Sequence, residues 1–419
     1  IITRKYELIQ MSKNFKNIFF FSIFLIGCSD NPLNSPYSEN TTGENILYSS
    51  FQERPKHLDP VRSYSSNEYA FLAQIYEPLF QYHYLKKPYE LIPLTASKLP
   101  DIKYLNSDLK ITKNYNEVQY TKYILNIKKG ILYQNHPAFY KENDNYYYHA
   151  LSNKDLTNIN TLKDFKKEST RELIADDYIY QIKRIADNSN HSPIAGIMQE
   201  YILGFNEYKE KLSDLENQNS KDKIDFMKVN QISGIEKIDN YTFSIILKKQ
   251  YPQFVYWLAM PFFSPMPWEA DLFYNQKILK NKNITLNWYP IGTGPFKLTE
   301  NNPNLRMVLK KNENFRGEVY PSLKDKIENK KFISQNKEKV IPFIDKAIFS
   351  LEKEQIPRWN KFLQGYYDNS GIASDNYDQA VSLDSSGDIS LTEELENKGI
   401  HLSMATAAST YYIGFNMLD

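Results

Sequence analysis

Glycine and cysteine are scarce in this 419-residue sequence, which has 14 glycines and a single cysteine. One cysteine excludes disulfide frameworks and cysteine-based zinc sites. The glycines supply one Gly-x-Gly, at Gly292-Thr293-Gly294, and Pro295 follows it at once. Because proline there does not fit a phosphate-binding turn that opens a helix, neither a Rossmann-type nucleotide site nor a P-loop is expected.

Charge of one sign is also lacking, since 51 lysines and arginines face 50 aspartates and glutamates. A formal charge of +1 gives no general field that would attract nucleic acid, so no nucleic-acid partner is expected. The six histidines lie far apart and form no His-x-x-x-His or His-Glu-x-x-His pair, so we expect neither a metal site nor a cofactor.

Signatures of catalysis are absent as well. No Gly-x-Ser-x-Gly turn occurs, which leaves nucleophilic catalysis without a motif. Asp176 and Asp177 form the obvious carboxylate pair, but adjacent helical residues point about 100° apart, so the two are poorly placed to share a proton. We interpret them as negative charge at a helix N-terminus and predict no catalytic residue.

The start of the chain carries an apolar run over 18–26, preceded by Lys13 and Lys16 and followed by Gly27-Cys28. The run is short for a membrane span, and the order of segments resembles a bacterial lipoprotein signal. This resemblance implies that 1–28 is a signal peptide, that Met11 is the true start, and that Cys28 is lipidated. An uncleaved anchor is the alternative. Residues 29–46, rich in Asn, Ser, Pro and Thr, are expected to form a flexible tether.

The remaining length implies two or three domains with a mixed helix and strand texture. Periodicity predicts a helix that begins at Ser65 or Ser66 and ends near Glu77-Pro78, and another over 173–185. Strands are predicted over 46–51, 120–127, 307–309 and 344–351, and a hairpin over 235–247. The aromatic stretch 251–268 predicts a buried helix and loop, with a ligand-stacking wall as the alternative.

The order of short motifs carries more information than any one of them. The motifs are His57-Leu58-Asp59-Pro60, Ile75-Tyr76-Glu77-Pro78-Leu79-Phe80, Ile92-Pro93-Leu94-Thr95-Ala96, Tyr123-Ile124-Leu125-Asn126-Ile127-Lys128-Lys129-Gly130, Ala175-Asp176-Asp177, Asp239-Asn240-Tyr241-Thr242, Gly292-Thr293-Gly294-Pro295-Phe296 and Gly365-Tyr366-Tyr367-Asp368. In this order, over 47–419, the chain resembles the extracellular solute-binding proteins of the peptide, oligopeptide and nickel class that serve ABC importers.

The resemblance implies an α/β, two-lobe periplasmic-binding-protein fold of class II type, with an extra domain inserted in the first lobe. The expected limits are 47–65 and 231–312 for lobe I, 66–230 for the inserted accessory domain, and 313–419 for lobe II. Two stretches, 101–119 and 138–170, are longer than the family pattern. Because 411–419 looks like the strand before the family's next helix, we expect a C-terminally truncated fragment with an incomplete second lobe.

By offset from Asp59, the resemblance also implies that Tyr64-Ser65-Ser66-Asn67 is a ligand-facing loop, with a helix cap as the alternative. The expected function is a lipid-anchored receptor on the periplasmic side of the envelope. It captures a peptide-like solute and delivers it to a membrane permease and its ATPase. Nickel or a sugar remains open as ligand. The alternative functions are an envelope hydrolase acting on peptide or glycan and a structural lipoprotein with a degenerate cleft.

Overall fold

The computed structural model describes residues 37, 43–86, 88–215, 220–321, 334–383, 387, 389–404, 410 and 412–417. The chain divides into a larger unit with the described residues between 43 and 351 and a smaller unit with residue 37 and the described residues from 352. Cys28, the signal 1–28 and most of the tether 29–46 lie outside the described residues. In the part that is described, no helix is both long and apolar enough to cross a bilayer.

The elements are numbered in chain order. The strands are β1 (Ile46–Phe51), β2 (Phe80–Tyr82), β3 (Leu91–Pro93), β4 (Asp101–Leu105), β5 (Tyr120–Asn126), β6 (Lys141–Glu142), β7 (Asn145–Tyr146), β8 (Ile235–Asp239), β9 (Thr242–Leu247), β10 (Phe296–Asn302), β11 (Arg306–Lys311), β12 (Glu318–Val319), β13 (Val340–Ile341), β14 (Lys346–Leu351), β15 (Val381–Leu383) and β16 (Ile389–Leu391). The helices are α1 (Ser66–Ile75), α2 (Ala175–Ala186), α3 (Ala195–Tyr201), α4 (Phe205–Ser213), α5 (Ser220–Val229), α6 (Phe254–Trp257), α7 (Trp268–Tyr274), α8 (Lys277–Lys280), α9 (Gln355–Leu363), α10 (Tyr377–Ala380) and α11 (Glu393–Asn397). The predicted α/β class is confirmed.

A four-stranded sheet in the order β1-β14-β11-β10 joins the two ends of the larger unit. β1 runs parallel to β14, with Ile46 opposite Lys346, whereas the other pairs are antiparallel. The strands predicted over 46–51, 307–309 and 344–351 are confirmed. The predicted domain limit at 312–313 separates β11 from β14, which are hydrogen-bonded neighbours in this sheet.

A second four-stranded sheet, antiparallel throughout, has the order β4-β5-β9-β8. Along β5, the side chains of Thr121, Tyr123 and Leu125 are buried and their neighbours are more exposed, which is the alternation expected of a half-buried strand. The hairpin predicted over 235–247 is β8 and β9. Helix α2 packs on this sheet, where the Tyr178 and Phe243 rings stack at 5.9 Å.

The C-terminal end of helix α1 packs against the glycine motif. The amide of Gly294 donates to the carbonyl of Ile75 at 2.9 Å. A Cβ built on Gly292 would lie 1.9 Å from the same carbonyl oxygen, so a side chain cannot be accommodated there. The predicted helix end before Glu77-Pro78 is confirmed, since α1 ends at Ile75.

Each unit has its own buried cluster. Most of the large buried aromatic side chains belong to the larger unit, including Phe71, Phe254 and Phe273. The smaller unit has a separate cluster of Trp359, Ala380, Val381, Leu391 and Leu395. The stretch 251–268 is mainly core, as predicted, because Phe254, Leu258, Phe262 and Phe263 are buried.

Candidate ligand-binding surface

The loop before helix α1 is organised by one buried carboxylate, that of Glu68, which is 2% exposed. Its Oε1 accepts the amides of Lys56 and His57, at 3.1 and 2.8 Å. Oε2 accepts the Ser63 hydroxyl and the amides of Tyr64 and Ser65, at 2.9, 3.0 and 3.2 Å. The carboxylate therefore ties both arms of the loop, 56–57 and 63–65, to the first turn of α1.

The predicted ligand-facing residues, Tyr64 to Asn67, lie together at this helix start. Ser65 is the N-cap of α1 and shares a capping box with Glu68, so the helix-cap alternative is confirmed, and the ligand-facing role stays a prediction. Tyr64 is 79% exposed, and its ring centroid lies 6.3 Å from that of buried Phe262. The Asn67 amide donates to the carbonyl of Arg54 at 3.3 Å. The Tyr64 side chain is thus exposed, while its backbone amide is held by Glu68.

Four further tyrosines are exposed, and together with Tyr64 we call them the tyrosine surface. Its residues are Tyr64, Tyr69, Tyr82, Tyr89 and Tyr256. All five are between 46% and 79% exposed. Tyr69 follows Tyr64 in the first turns of α1, and Tyr82 lies close to both Tyr69 and Tyr256. The Tyr82 ring stacks on that of Tyr256 at 6.5 Å and 10°, and meets that of Tyr89 edge-on at 6.0 Å. The surface is therefore built from α1, the β2–β3 hairpin and α6.

The hydroxyls of Tyr82 and Tyr69 remain protonated at neutral pH. Burial raises the pKa of Tyr82, and the neighbouring hydroxyls of Tyr256 and Tyr69 raise it further. Burial also raises the pKa of Tyr69. A neutral phenol offers a ring face for stacking, one O–H donor and an acceptor oxygen. Such a surface can hold planar amide groups without forming covalent bonds.

An ion pair beneath the loop fixes the Leu-Asp-Pro motif. Arg184 of α2 donates to both carboxylate oxygens of Asp59, at 3.0 and 2.7 Å, and lies 3.5 Å from Asp271. Burial alone would lower the pKa of Arg184, but the two carboxylates raise it above its ordinary value. The side-chain oxygen of Asn287 accepts the amides of Leu58 and Asp59 at 3.2 and 3.1 Å. The Leu-Asp-Pro motif is therefore held through both the side chain of Asp59 and its backbone.

A second buried pair explains two other motifs. Glu77, 3% exposed, accepts hydrogen bonds from the Thr293 hydroxyl and from Arg316, both at 2.8 Å. Glu77 follows the end of α1, and Thr293 lies in the glycine motif. These motif residues therefore hold separate parts of the fold together.

The two adjacent aspartates of α2 form separate ion pairs. Asp177 is buried and accepts from Arg171 at 2.6 and 2.8 Å, whereas Asp176 pairs with Lys237 at 2.5 Å. The two aspartates thus face different partners. Among the described residues, no cluster of three or more His, Cys, Asp or Glu side chains could hold a metal ion.

Sequence reasoning missed Glu68, Arg184 and the tyrosine surface. The one local signal for Glu68 was its position three residues after Ser65, which is the spacing of a capping box. No local pattern indicates the tyrosine surface, because its residues lie in separate segments of the chain.

Comparisons with known proteins come from three sources. A family model for bacterial extracellular solute-binding proteins, family 5 Middle, matches residues 162–419. No curated protein matches the sequence. Among solved structures, the chain is similar to Listeria monocytogenes OppA bound to peptide, with 13% identity, 81% of this chain covered and a TM-score of 0.50. This likeness shows the fold.

A second similar structure is the periplasmic binding protein DppA from Helicobacter pylori in complex with the peptide STSA, with 18% identity, 77% of this chain covered and a TM-score of 0.47. The chain spans about half the length of these solved proteins, covering 48% of the Listeria chain and 46% of the Helicobacter chain.

Proposed function

This chain belongs to family 5 of the bacterial extracellular solute-binding proteins, and from that membership we propose that it captures a peptide-like solute and delivers it to the permease of an ABC importer. The peptide as ligand is supported by the names of the two solved structures, both of which contain a peptide. The observation that carries the proposal for this chain is the exposed Tyr64 on a loop held from below by buried carboxylates.

The chemistry of the tyrosine surface suits a peptide. Peptide groups are planar, so they can lie against a phenol ring, and their carbonyls accept hydrogen bonds from a protonated tyrosine hydroxyl. Backbone recognition of this kind does not depend on the side chains of the solute. The proposed function is therefore binding without covalent change, and the solute is released chemically unchanged.

The proposed location follows from the start of the sequence. Lipidation of Cys28 would tether the receptor to the envelope on its periplasmic side, with 29–46 as the flexible link. A receptor held close to the membrane has a short path to a permease and its ATPase. The inserted accessory domain over 66–230 and the lobe limits given above belong to the same proposal.

The test compares two tyrosines of nearly equal exposure. Tyr64 is 79% exposed on the proposed surface, and Tyr115 is 77% exposed in a short turn outside it. We expect Tyr64→Ala to weaken peptide affinity about tenfold, since it removes one aromatic contact, and Tyr115→Ala to leave it unchanged. Isothermal titration with short peptides of defined sequence measures both.

Native mass spectrometry of the full chain, purified without denaturation, should show co-purified peptides of unchanged mass. Two results would contradict the proposal. One is a protein that ignores every peptide offered, and the other is the appearance of cleaved products, which would indicate the hydrolase alternative.

A further inference from the structure

We propose that Glu68 is a positioning residue that holds Tyr64 and its neighbours in the shape that accepts the solute. This inference rests on the proposed function. Glu68 makes no contact with the solute itself, because its carboxylate is buried beneath the loop. It acts through the backbone of Tyr64 and Ser65, whose amides donate to Oε2.

The geometry requires a carboxylate at this position. Both oxygens accept hydrogen bonds from backbone amides, so neither oxygen can be replaced by a donor. In glutamine, one oxygen becomes an NH2 group, which would face either the amides of Lys56 and His57 or those of Tyr64 and Ser65. Glu68→Gln therefore releases one arm of the loop whichever way the amide is turned.

The electrostatics agree with the geometry. Burial acts to raise the pKa of Glu68, but hydrogen bonds from the amides of Ser65 and His57 and from the hydroxyls of Ser65 and Ser63 lower it on balance. The residue is therefore charged at neutral pH. Hydrogen bonds to a charged acceptor are about twice as strong as those between neutral groups, so one side chain can order two loop arms.

Loop order has a direct readout, because trypsin cleaves after lysine and arginine. Lys56 lies in one arm of the loop and Arg62 directly precedes the other. His57 and Ser63 follow them, so both bonds are sites for trypsin when the loop opens. Local opening exposes these two bonds, whereas general destabilisation exposes lysines and arginines throughout the chain.

The experiment compares Glu68→Gln with Glu200→Gln, a control in which the lost charge is exposed and pairs with Lys249. Each full-length variant is digested with trypsin well below its melting temperature and titrated with the same peptides. For Glu68→Gln we expect cleavage after Lys56 and Arg62 to rise about tenfold, with a similar loss of peptide affinity. Glu200→Gln should behave like the unmodified protein.

Unchanged cleavage and affinity in Glu68→Gln would overturn the inference, and so would a uniform rise in cleavage along the whole chain. Tyr64→Ala separates the two proposals, since it should lose affinity with no gain in cleavage. If the unmodified protein binds no peptide, the proposed function fails. In that case Glu68 cannot position a ligand-binding loop, and opening of the loop in Glu68→Gln would show a purely structural role.

Discussion

Asp59 and Arg184 form a buried, two-point ion pair across 125 residues of sequence, with the guanidinium nitrogens 3.0 and 2.7 Å from the carboxylate oxygens. The pair joins the loop before α1 to helix α2. Asp59 thus has a defined structural task, and the Leu-Asp-Pro motif that contains it is a clamp between two parts of the larger unit.

Removal of one partner of this pair should destabilise the protein strongly. Asp59→Ala leaves Arg184 buried with the Gln181 side-chain oxygen at 3.1 Å and Asp271 at 3.5 Å but without its two-point partner, so we expect a loss of about 3 kcal/mol in the free energy of unfolding. Glu90→Ala is the matched control, since it breaks an exposed pair with Lys86 and should cost about 1 kcal/mol or less. Urea denaturation measures both, and equal losses would contradict the prediction.

Two buried histidines predict loss of stability in acid. Burial lowers the pKa of His136 to about 3, and burial lowers that of His149 to about 4 despite the hydrogen bond to the Ala138 carbonyl. Unfolded histidine has a pKa near 6.5, so below that pH the unfolded state binds protons that the folded state does not. Stability should therefore be complete above about pH 6.5 and fall as the pH drops toward 4.

Melting temperatures recorded between pH 7.5 and 5 test this acid sensitivity. In His136→Asn, the side-chain oxygen can still accept the Ala138 amide that His136 Nδ1 accepts at 3.0 Å. The variant should show a shallower fall with pH than the parent. A fall of the same steepness in both proteins would show that other groups cause it.

Lys183 predicts a gain in stability on substitution. It is 3% exposed, its amine donates to the Met227 carbonyl at 2.7 Å, and burial lowers its pKa to about 8. Between pH 8 and the unfolded value near 10.5, the unfolded state holds the proton and the folded state does not, so stability rises with pH across this window. Lys183→Met should raise the melting temperature at pH 7 and remove the rise above pH 8. A lower melting temperature at pH 7 would show that the hydrogen bond matters more than the buried charge.

Two glycines give opposite predictions for the same substitution. Gly292→Ala places a Cβ 1.9 Å from the Ile75 carbonyl oxygen and should cost several kcal/mol, as overpacking against backbone does. Gly196 lies in α3 with no atom near its built Cβ, so Gly196→Ala should stabilise the protein by about 0.5–1 kcal/mol. Thermal unfolding of both variants is the measurement, and a stable Gly292→Ala protein would contradict the close approach.

Local patterns predicted the elements well. The period of apolar residues gave helix α1, and the turn at Asp239-Asn240 gave the hairpin of β8 and β9, because both depend on neighbours in sequence. By contrast, nothing local indicates the partners of Lys183 and Arg184 in α2, which are buried and meet Met227 and Asp59. Partners so distant in sequence leave no local signal, and the same holds for the tyrosine surface, which three separate segments assemble.

The parallel pairing of β1 with β14 has a consequence for synthesis. Asn45 and Asp345, next to this pairing, are 300 residues apart. At roughly 5–20 residues per second, a ribosome needs about 15–60 s to make the partner that β1 requires. Until then β1 is an uncovered strand edge that can aggregate. Pairing of β1 with β14 is therefore a late event in synthesis, and it closes the larger unit only after the intervening segments have left the ribosome.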